Sequence, residues 1–412
     1  MIKIIRAQNA KAVARLLSPS RDGDSKTART VATMVAAVKR RGDPALLAYA
    51  RTFDDLQEPL EVSKDEIEDG AARVPPRVRA ALAAAARNIR KVARRQRPTE
   101  WRVTTQPGVT VEQRVTPLDR VGCYVPGGRY PLPSSLLMAA IPARAAGVRE
   151  VIVACPRPAP VVMAAARLAG VDRLFRMGGA HAIAALAYGT ASVPRVDKIV
   201  GPGNRFVAAA KSLVAADCAI DFYAGPTEIV IVSDRGNAEW IAADLIAQAE
   251  HDPQARAILI TSSTRLAARV VRFVKDRMPA AGPACESLAR HGGIIVTRSR
   301  QESAELANRA AAEHLVCDDE KMADAVRCAG AVFIGPYTAQ VAGDYAIGSN
   351  HVLPTNGAAR FRGGLHAADF VRVSTVQRMT AAGLRTLAPV VITLARQEGL
   401  EGHARSIEVR LK

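Results

Sequence analysis

The feature that most constrains this chain is a strict alternation of short apolar strands and longer helical runs that begins at Arg120. A strand over 121–125 is broken by Pro126-Gly127-Gly128 and followed by a helix over 134–146. The unit recurs as strands at 150–155, 173–177 and 198–204, each leading into a helix, at 161–170, 181–189 and 206–216. A second set follows, with strands at 228–232, 257–261, 293–296 and 331–335 and helices at 237–250, 264–278 and 300–312. Strands that alternate with helices of about 10 to 15 residues must pair in parallel, with the helices covering both sheet faces. The expected fold is α/β: two doubly wound domains, one inserted in the other, with a helical N-terminal region and a small C-terminal tail domain. The boundaries read as 1–25 for an N-terminal arm, 26–118 plus 228–366 for a first, discontinuous α/β domain, 119–227 for a second, and 367–412 for the tail.

The N-terminal third reads as mostly helical and carries no obvious chemistry. A short helix and a polar loop at 18–25 precede helices over 27–42, from Pro44, and from Ser63 after a strand-like LEVS. A long basic helix starts near Pro75-Pro76 and ends before Pro98, prolines supplying the start and stop signals. It accounts for part of a formal net charge of +18. Arg87, Arg90, Lys91, Arg94 and Arg97 recur on it at helical spacing, and no aromatic interleaving or zinc-finger spacing accompanies them. We read a solvated basic face and no specific nucleic-acid partner. No run of about 18 uncharged apolar residues predicts a membrane span, and the first residues lack the pattern of a signal peptide. The six cysteines form no CxxC pair, so neither a thiolate metal site nor a disulfide framework is expected, and a reducing cytoplasm fits.

Three glycine turns fall at strand-to-helix junctions: 126–128, 178–179 and 201–204. In an open parallel sheet such junctions line the carboxyl edge, where ligands bind. Glycine lets backbone amides approach a phosphate there, although none of the three is a GxGxxG fingerprint, and plain tight turns read equally well. Polar chemistry gathers elsewhere. Gln248 and His251 lie three apart at a helix end, on one face. The chain has seven histidines. Glu313-His314 stands at another helix end, Asp344 and His351 share a turn-rich loop, and Glu398 and His403 bracket a Gly-containing segment. Gln, His, Asp and His side chains can supply nitrogen and oxygen ligands to one divalent ion. Each is also an ordinary surface residue if they do not converge.

The stretches RVGCYVPGGRYPLPSSLLMAAIPARAAG, MGGAHAIAALAYGTASVPRVDKIVGPGN, DFYAGPTEIVIV, QAEHDP, EHL, AGDYAIGSNHVLPT and EGLEGHARSIEVR occur in the order found in histidinol dehydrogenases. The chain resembles that family from about residue 28 to its end. The resemblance implies a zinc- and NAD-dependent oxidoreductase that takes L-histidinol to L-histidine through histidinaldehyde, a four-electron oxidation ending histidine biosynthesis. It implies one zinc per subunit, held by Gln248, His251, Asp344 and His403. Glu313 and His314 match the catalytic pair, with His314 the general base and Glu313 activating the water that attacks the aldehyde. Thr227, His351 and Glu398 match substrate contacts, alongside the metal ligands and His314. Tyr124, His181 and Asn204 match the NAD contacts of the second α/β domain. The tail is expected to cross to a partner, so that Glu398 and His403 complete the other subunit's site in a homodimer. Four departures stand out: His181 where Gln is usual, Thr227 for Ser, Ala312 for Pro, and a bulkier Arg129-Tyr130. A paralogue acting on another small polar alcohol, such as a sulfonated diol, is the alternative; Glu398 speaks against a sulfonate and for a cationic substrate. A basic binding protein that kept the fold and lost the activity is a third reading, opposed by the retained Glu313, His314 and metal ligands.

Overall fold

The computed structural model describes residues 2–18, 25–127, 130–223 and 225–412; the interior of the expected 18–25 loop, and Gly128 and Arg129, lie outside these. The chain opens with strand β1 (Lys3–Arg6) and helix α1 (Ala10–Leu17). Next come α2 (Ser25–Arg41), α3 (Asp43–Phe53), β2 (Glu61–Val62), α4 (Lys64–Ala72) and α5 (Pro76–Arg95). Their starts are set locally. Asn9 and Ser63 accept hydrogen bonds from Ala12 N and Glu66 N, and Pro44 and Pro76 sit in first turns that have no use for their missing N–H. A hairpin, β3 (Trp101–Gln106) and β4 (Val109–Pro117), precedes the alternating region.

That region runs β5 (Arg120–Tyr124), α6 (Pro133–Ala146), β6 (Glu150–Ala154), α7 (Pro160–Ala169), β7 (Arg173–Phe175), α8 (Gly179–Tyr188), β8 (Lys198–Val200), α9 (Arg205–Val214) and β9 (Ala219–Ile220). The second is β10 (Glu228–Val232), α10 (Ala238–Ala249), β11 (Arg256–Thr261), α11 (Thr264–Arg277), α12 (Pro283–Arg290), β12 (Gly293–Val296), α13 (Arg300–Ala310), β13 (His314–Cys317), α14 (Glu320–Ala325), β14 (Ala331–Ile334) and α15 (Gln340–Tyr345). The tail is β15 (Val371–Met379), α16 (Ala381–Gln397) and α17 (Glu401–Glu408).

Two six-stranded sheets result. The first has the order β2-β7-β6-β5-β8-β9 and is parallel except for β2; the second, β1-β12-β11-β10-β13-β14, is parallel throughout. In each, the chain lays strands to one side of a central strand and then returns to the other. The switch points lie between β5 and β8 and between β10 and β13. Their central strands are buried end to end, as strands covered on both faces must be. The first sheet is inserted in the second, because β1 precedes it and β10 follows it.

Several expectations need correction. Residues 3–6 are not helical but form an edge strand paired with β12. Helices α2 to α5, grouped by sequence with residues 228–366, cover the first sheet instead. Val31, Val35 and Val38 join the core of Ile183 and Leu186, while Leu82, Ala86 and Ile89 join that of Leu136 and Val151. Their apolar stripes are legible at helical spacing, but a stripe does not say which sheet it meets. The hairpin β3–β4 and strand β15, unforeseen, form a separate antiparallel sheet of order β15-β4-β3, with β15 lying in the 367–412 tail. Strands β9 and β13 and helix α12 were also not anticipated. No helix among the described residues is long and apolar enough to cross a membrane.

The turn after β8 shows how tightly a carboxyl edge is built. Gly201 has φ +116°, and a Cβ there would lie 2.1 Å from the Tyr124 carbonyl oxygen. Asp221 accepts from Gly201 N at 2.8 Å, and Lys211, ion-paired with Asp221 in the interior, donates to Gly201 O at 3.0 Å. Gly201→Ala should therefore cost at least about 2 kcal/mol, read as a lower Tm. An unchanged Tm would show that this turn relaxes freely.

Candidate functional site

The chemistry is built where β10 and β13 begin. These strands pair in parallel with Ile229 opposite His314, which sets Glu313 beside Glu228. The Glu313 carboxylate is buried. Its Oε2 accepts from the Thr227 hydroxyl at 2.5 Å and from Glu228 N at 2.8 Å. Burial pushes the Glu313 carboxyl up to about 7, against the pull of His314 and of these two donors. The neighbouring imidazole is also buried. His314 Nδ1 lies 3.1 Å from the Glu228 carbonyl oxygen, which can only accept, so Nδ1 carries a proton. His314 Nε2 is enclosed without a hydrogen-bond partner. Its nearest carboxylate oxygen, Asp344 Oδ1, is 3.6 Å away, beyond hydrogen-bond range. Burial opposes a charge on His314, but Glu313 and Asp344 outweigh it and raise its proton affinity.

Gln248 lies on the last turn of α10, fully buried, and its Nε2 donates to Thr227 Oγ1 at 2.6 Å. Thr227 thus bridges Gln248 and Glu313. The hydroxyl expected to meet substrate is engaged on both sides by the protein. Gln248 Oε1 is buried with no partner, a costly arrangement unless something else uses that oxygen. Asp344 lies on α15, where Gln340 Nε2 donates to its Oδ2 at 2.7 Å. Burial raises Asp344, but His314, His351 and Gln340 hold it below the usual carboxylate range. His351 Nδ1 is 2.8 Å from the Asp344 carbonyl oxygen and its Nε2 is 3.4 Å from Ser135 Oγ at the start of α6. Burial pushes its proton affinity down, and the neighbouring His314 adds to this against the pull of Asp344. His251 itself is exposed just past α10.

The structure therefore brings together Thr227, Gln248, Glu313, His314, Asp344 and His351, with His251 at their edge. It leaves Glu398 and His403 exposed on α16 and α17, outside this group. Among the described residues no three His, Cys, Asp or Glu side chains close on a common point. The buried, unpartnered Gln248 amide oxygen is a further candidate donor here. That oxygen, orphaned and buried beside a carboxylate and an imidazole, fits the oxygen-and-nitrogen donor set of a divalent ion.

The residues matched to NAD sit at the carboxyl edge of the first sheet. The Tyr124 hydroxyl accepts from Gly179 N at 3.1 Å, and Asn204 caps α9 by accepting from Phe206 N and Val207 N. His181 is buried rather than open to a ligand. Its Nε2 lies 2.7 Å from Asp54 Oδ2, Tyr49 and Phe53 cover the ring, and only Nδ1 is unpartnered. Sequence reasoning missed Asp54, Gln340 and the Glu228–Arg256 ion pair. Gln340 was findable, standing four residues before Asp344 on a short helix; the others need the fold.

Two parallel sheets carrying a buried acid–imidazole pair at one strand edge define an α/β enzyme that moves protons at a small polar substrate. Comparison makes this particular. The sequence profile of histidinol dehydrogenase matches residues 18–411. The chain is similar to histidinol dehydrogenases of Geobacter sulfurreducens, 44% identical over 97% of this chain and 96% of the relative, and of Methanothermobacter thermautotrophicus, 45% identical over 93% of each. Its fold matches the crystal structure of histidinol dehydrogenase from Elizabethkingia anophelis with a TM-score of 0.94 and 31% identity, covering 100% of this chain and 98% of that one. The chain belongs to the histidinol dehydrogenase family, a family of NAD-dependent oxidoreductases.

The Thr227 bridge is open to a direct test. Thr227→Val leaves Glu313 and Gln248 each short of a buried partner and should cost about 1–3 kcal/mol, whereas Thr227→Ser should stay near the parent. Equal Tm values for the two variants would refute the bridge.

Proposed function

We propose that this chain oxidises L-histidinol to L-histidine through histidinaldehyde, the last steps of histidine biosynthesis. The observation that carries this reading is the buried Glu313–His314 pair, with a free imidazole nitrogen, facing the unpaired Gln248 oxygen. His314 keeps its Nδ1 proton on the Glu228 carbonyl, so the lone pair is on Nε2. That nitrogen takes the proton of the alcohol, and later of the hydrated aldehyde, as general base. Glu313 has one oxygen held by Thr227 and Glu228 and the other left for water. With its affinity for protons raised to about 7, it accepts a water proton near neutral pH.

Gln248, His251 and Asp344, joined by His403 of a second copy, would hold zinc, which when bound supplies a Lewis-acid anchor for the amine and imidazole nitrogens of the substrate. Tyr124 and Asn204 would meet NAD, which when bound accepts the electrons removed at each oxidation, while the enclosed His181 supports that edge from behind. His351, kept neutral, and Glu398 recognise the substrate, the latter by its charge. The second copy is supported by the tail itself. Val390, Leu394, Leu400 and Val409 expose large apolar side chains there, and Glu398 and His403 stand apart from the site that needs them. The six free cysteines agree with a reducing cytoplasm.

Purified protein should form about two NADH per histidinol, lose activity on chelation and regain it with zinc. Absence of NADH from zinc-loaded protein would refute the substrate. His314→Ala should lower turnover about a hundred- to ten-thousand-fold while zinc content stays unchanged. The ionised fraction of Glu313 grows as pH rises through about 7, so the aldehyde step should accelerate over that range and level off above it. Glu313→Gln should abolish the rise. Co-expressed His314→Ala and His403→Ala chains, each inactive alone, should together recover about a quarter of parent activity, since half the dimers are mixed and each mixed dimer keeps one intact site. No recovery would exclude a site shared between subunits.

A further inference from the structure

The second sheet has its own switch point, and the reaction does not use it. Catalytic groups sit at the amino ends of β10 and β13. At their carboxyl ends opens a crevice of about 450 Å³, walled by α10 on one side and by the β14–α15 connection on the other. Crevices at this place in a doubly wound sheet are where ligands bind. Its position corresponds to that of the β5–β8 edge in the first sheet, where NAD is expected.

Its lining is wrong for a nucleotide. The first free amides of α10, those of Glu239 and Trp240, are already taken by the Asn237 side chain at 2.9 and 3.4 Å. Asp318 lines the crevice and accepts from Asp234 N at 2.9 Å. The lining cation, Arg235, is engaged with Asp319 at 2.6 Å. A pyrophosphate placed here would meet the Asp318 and Asp244 carboxylates and helix amides already taken by Asn237.

The lining suits the opposite charge. Trp240 lines the crevice, half-open to solvent, and its ring lies 5.8 Å from that of Tyr337 at 49°, the latter almost fully exposed at the crevice rim. One turn further along α10, Asp244 borders the same crevice without a hydrogen-bond or ionic partner among the described residues. Its carboxyl is pushed up to about 6 by burial alone. An aromatic platform and an unpaired, partly desolvated carboxylate four residues apart on one helical face make a recognition pair for a ring and a cation.

We propose that this crevice binds a small primary amine carrying a planar ring and no carboxylate, the ring lying on Trp240 and Tyr337 and the ammonium group on Asp244. Both walls run on into the catalytic region: Gln248 is the next turn of α10 after Asp244, and α15 carries Asp344. A bound amine therefore lies against the two helices that position those groups.

The test uses phenethylamine as probe, with AMP as the anionic control, on the full chain. Calorimetric titration is paired with the fluorescence of Trp240, made the sole tryptophan by Trp101→Phe. Phenethylamine should bind and perturb Trp240, and binding should persist in His314→Ala, which separates the crevice from the catalytic site. Asp244→Asn should weaken it at least about tenfold, and so should Tyr337→Ala, an exposed position whose loss the fold tolerates. AMP should not bind there. No phenethylamine binding, binding unchanged in both variants, binding lost in His314→Ala, or AMP binding that displaces the amine would each overturn the proposal. The assay needs neither zinc nor turnover, so its outcome is independent of the proposed reaction.

Discussion

The register between β10 and β13 is the constraint from which the site follows. With Ile229 opposite His314, the residue before each strand falls at the sheet's amino edge, and Glu313 arrives beside the amide of Glu228. Side chains alternate along a strand, so a slip of one residue would send His314 to the other face and break its bond to the Glu228 carbonyl. Burying a carboxylate costs several kcal/mol. Two donors, Thr227 and the Glu228 amide, offset part of it. The balance left over is what lifts Glu313 toward neutrality.

Glu228 extends that dependence to distant parts of the chain. Its carboxylate is buried beside that of Glu313 and needs its own neutralisation, which Arg256 at the start of β11 provides. Arg256 in turn donates to the Ser18 carbonyl oxygen at 2.6 Å, just past α1. Asn356 N donates to the remaining Glu228 oxygen at 3.0 Å. The N-terminal segment, β11 and the 355–356 loop thus meet on one carboxylate, whose backbone carbonyl sets the tautomer of His314. Losing Arg256 would leave the two neighbouring buried carboxyls without that cation and push the pair toward holding a proton.

How much was legible follows from what the signals measure. Alternation of apolar runs and helices revealed both sheets and the insertion of one in the other, because period and length are local properties. It missed β1, whose four residues carry no alternating burial. It also missed β3, β4 and β15, largely exposed strands of which β4 and β15 pair across more than 250 residues. Glu313, His314, Gln248, Asp344 and His351 were named from motifs, and the fold does gather them. That Thr227 bridges two of them could not be read, because the bridge joins side chains whose proximity depends on strand register. His181 was the weakest point. An imidazole one turn into a helix reads as available, yet Asp54 and the rings of Tyr49 and Phe53, contributed by a helix assigned to the wrong sheet, enclose it.

The acid–imidazole pair sits at an amino edge, against the carboxyl-edge rule for parallel sheets. The contact between Ser135 and His351 resolves this. Ser135 lies in the first turn of α6, the helix that follows β5, and its hydroxyl lies 3.4 Å from His351 Nε2. His351 is tied by its other nitrogen to the Asp344 carbonyl. The carboxyl edge of the first sheet therefore faces the amino edge of the second across a single imidazole. One sheet offers glycine turns and helix starts, suited to an anionic cofactor. The other offers a base, an acid and hard donors, suited to a polar cationic substrate. Splitting the two tasks between opposed edges lets each sheet keep an unbroken core. The carboxyl edge of the second sheet lies at the opposite ends of β10 and β13 from the acid–imidazole pair, and its crevice is lined by Asp244 and Asp318.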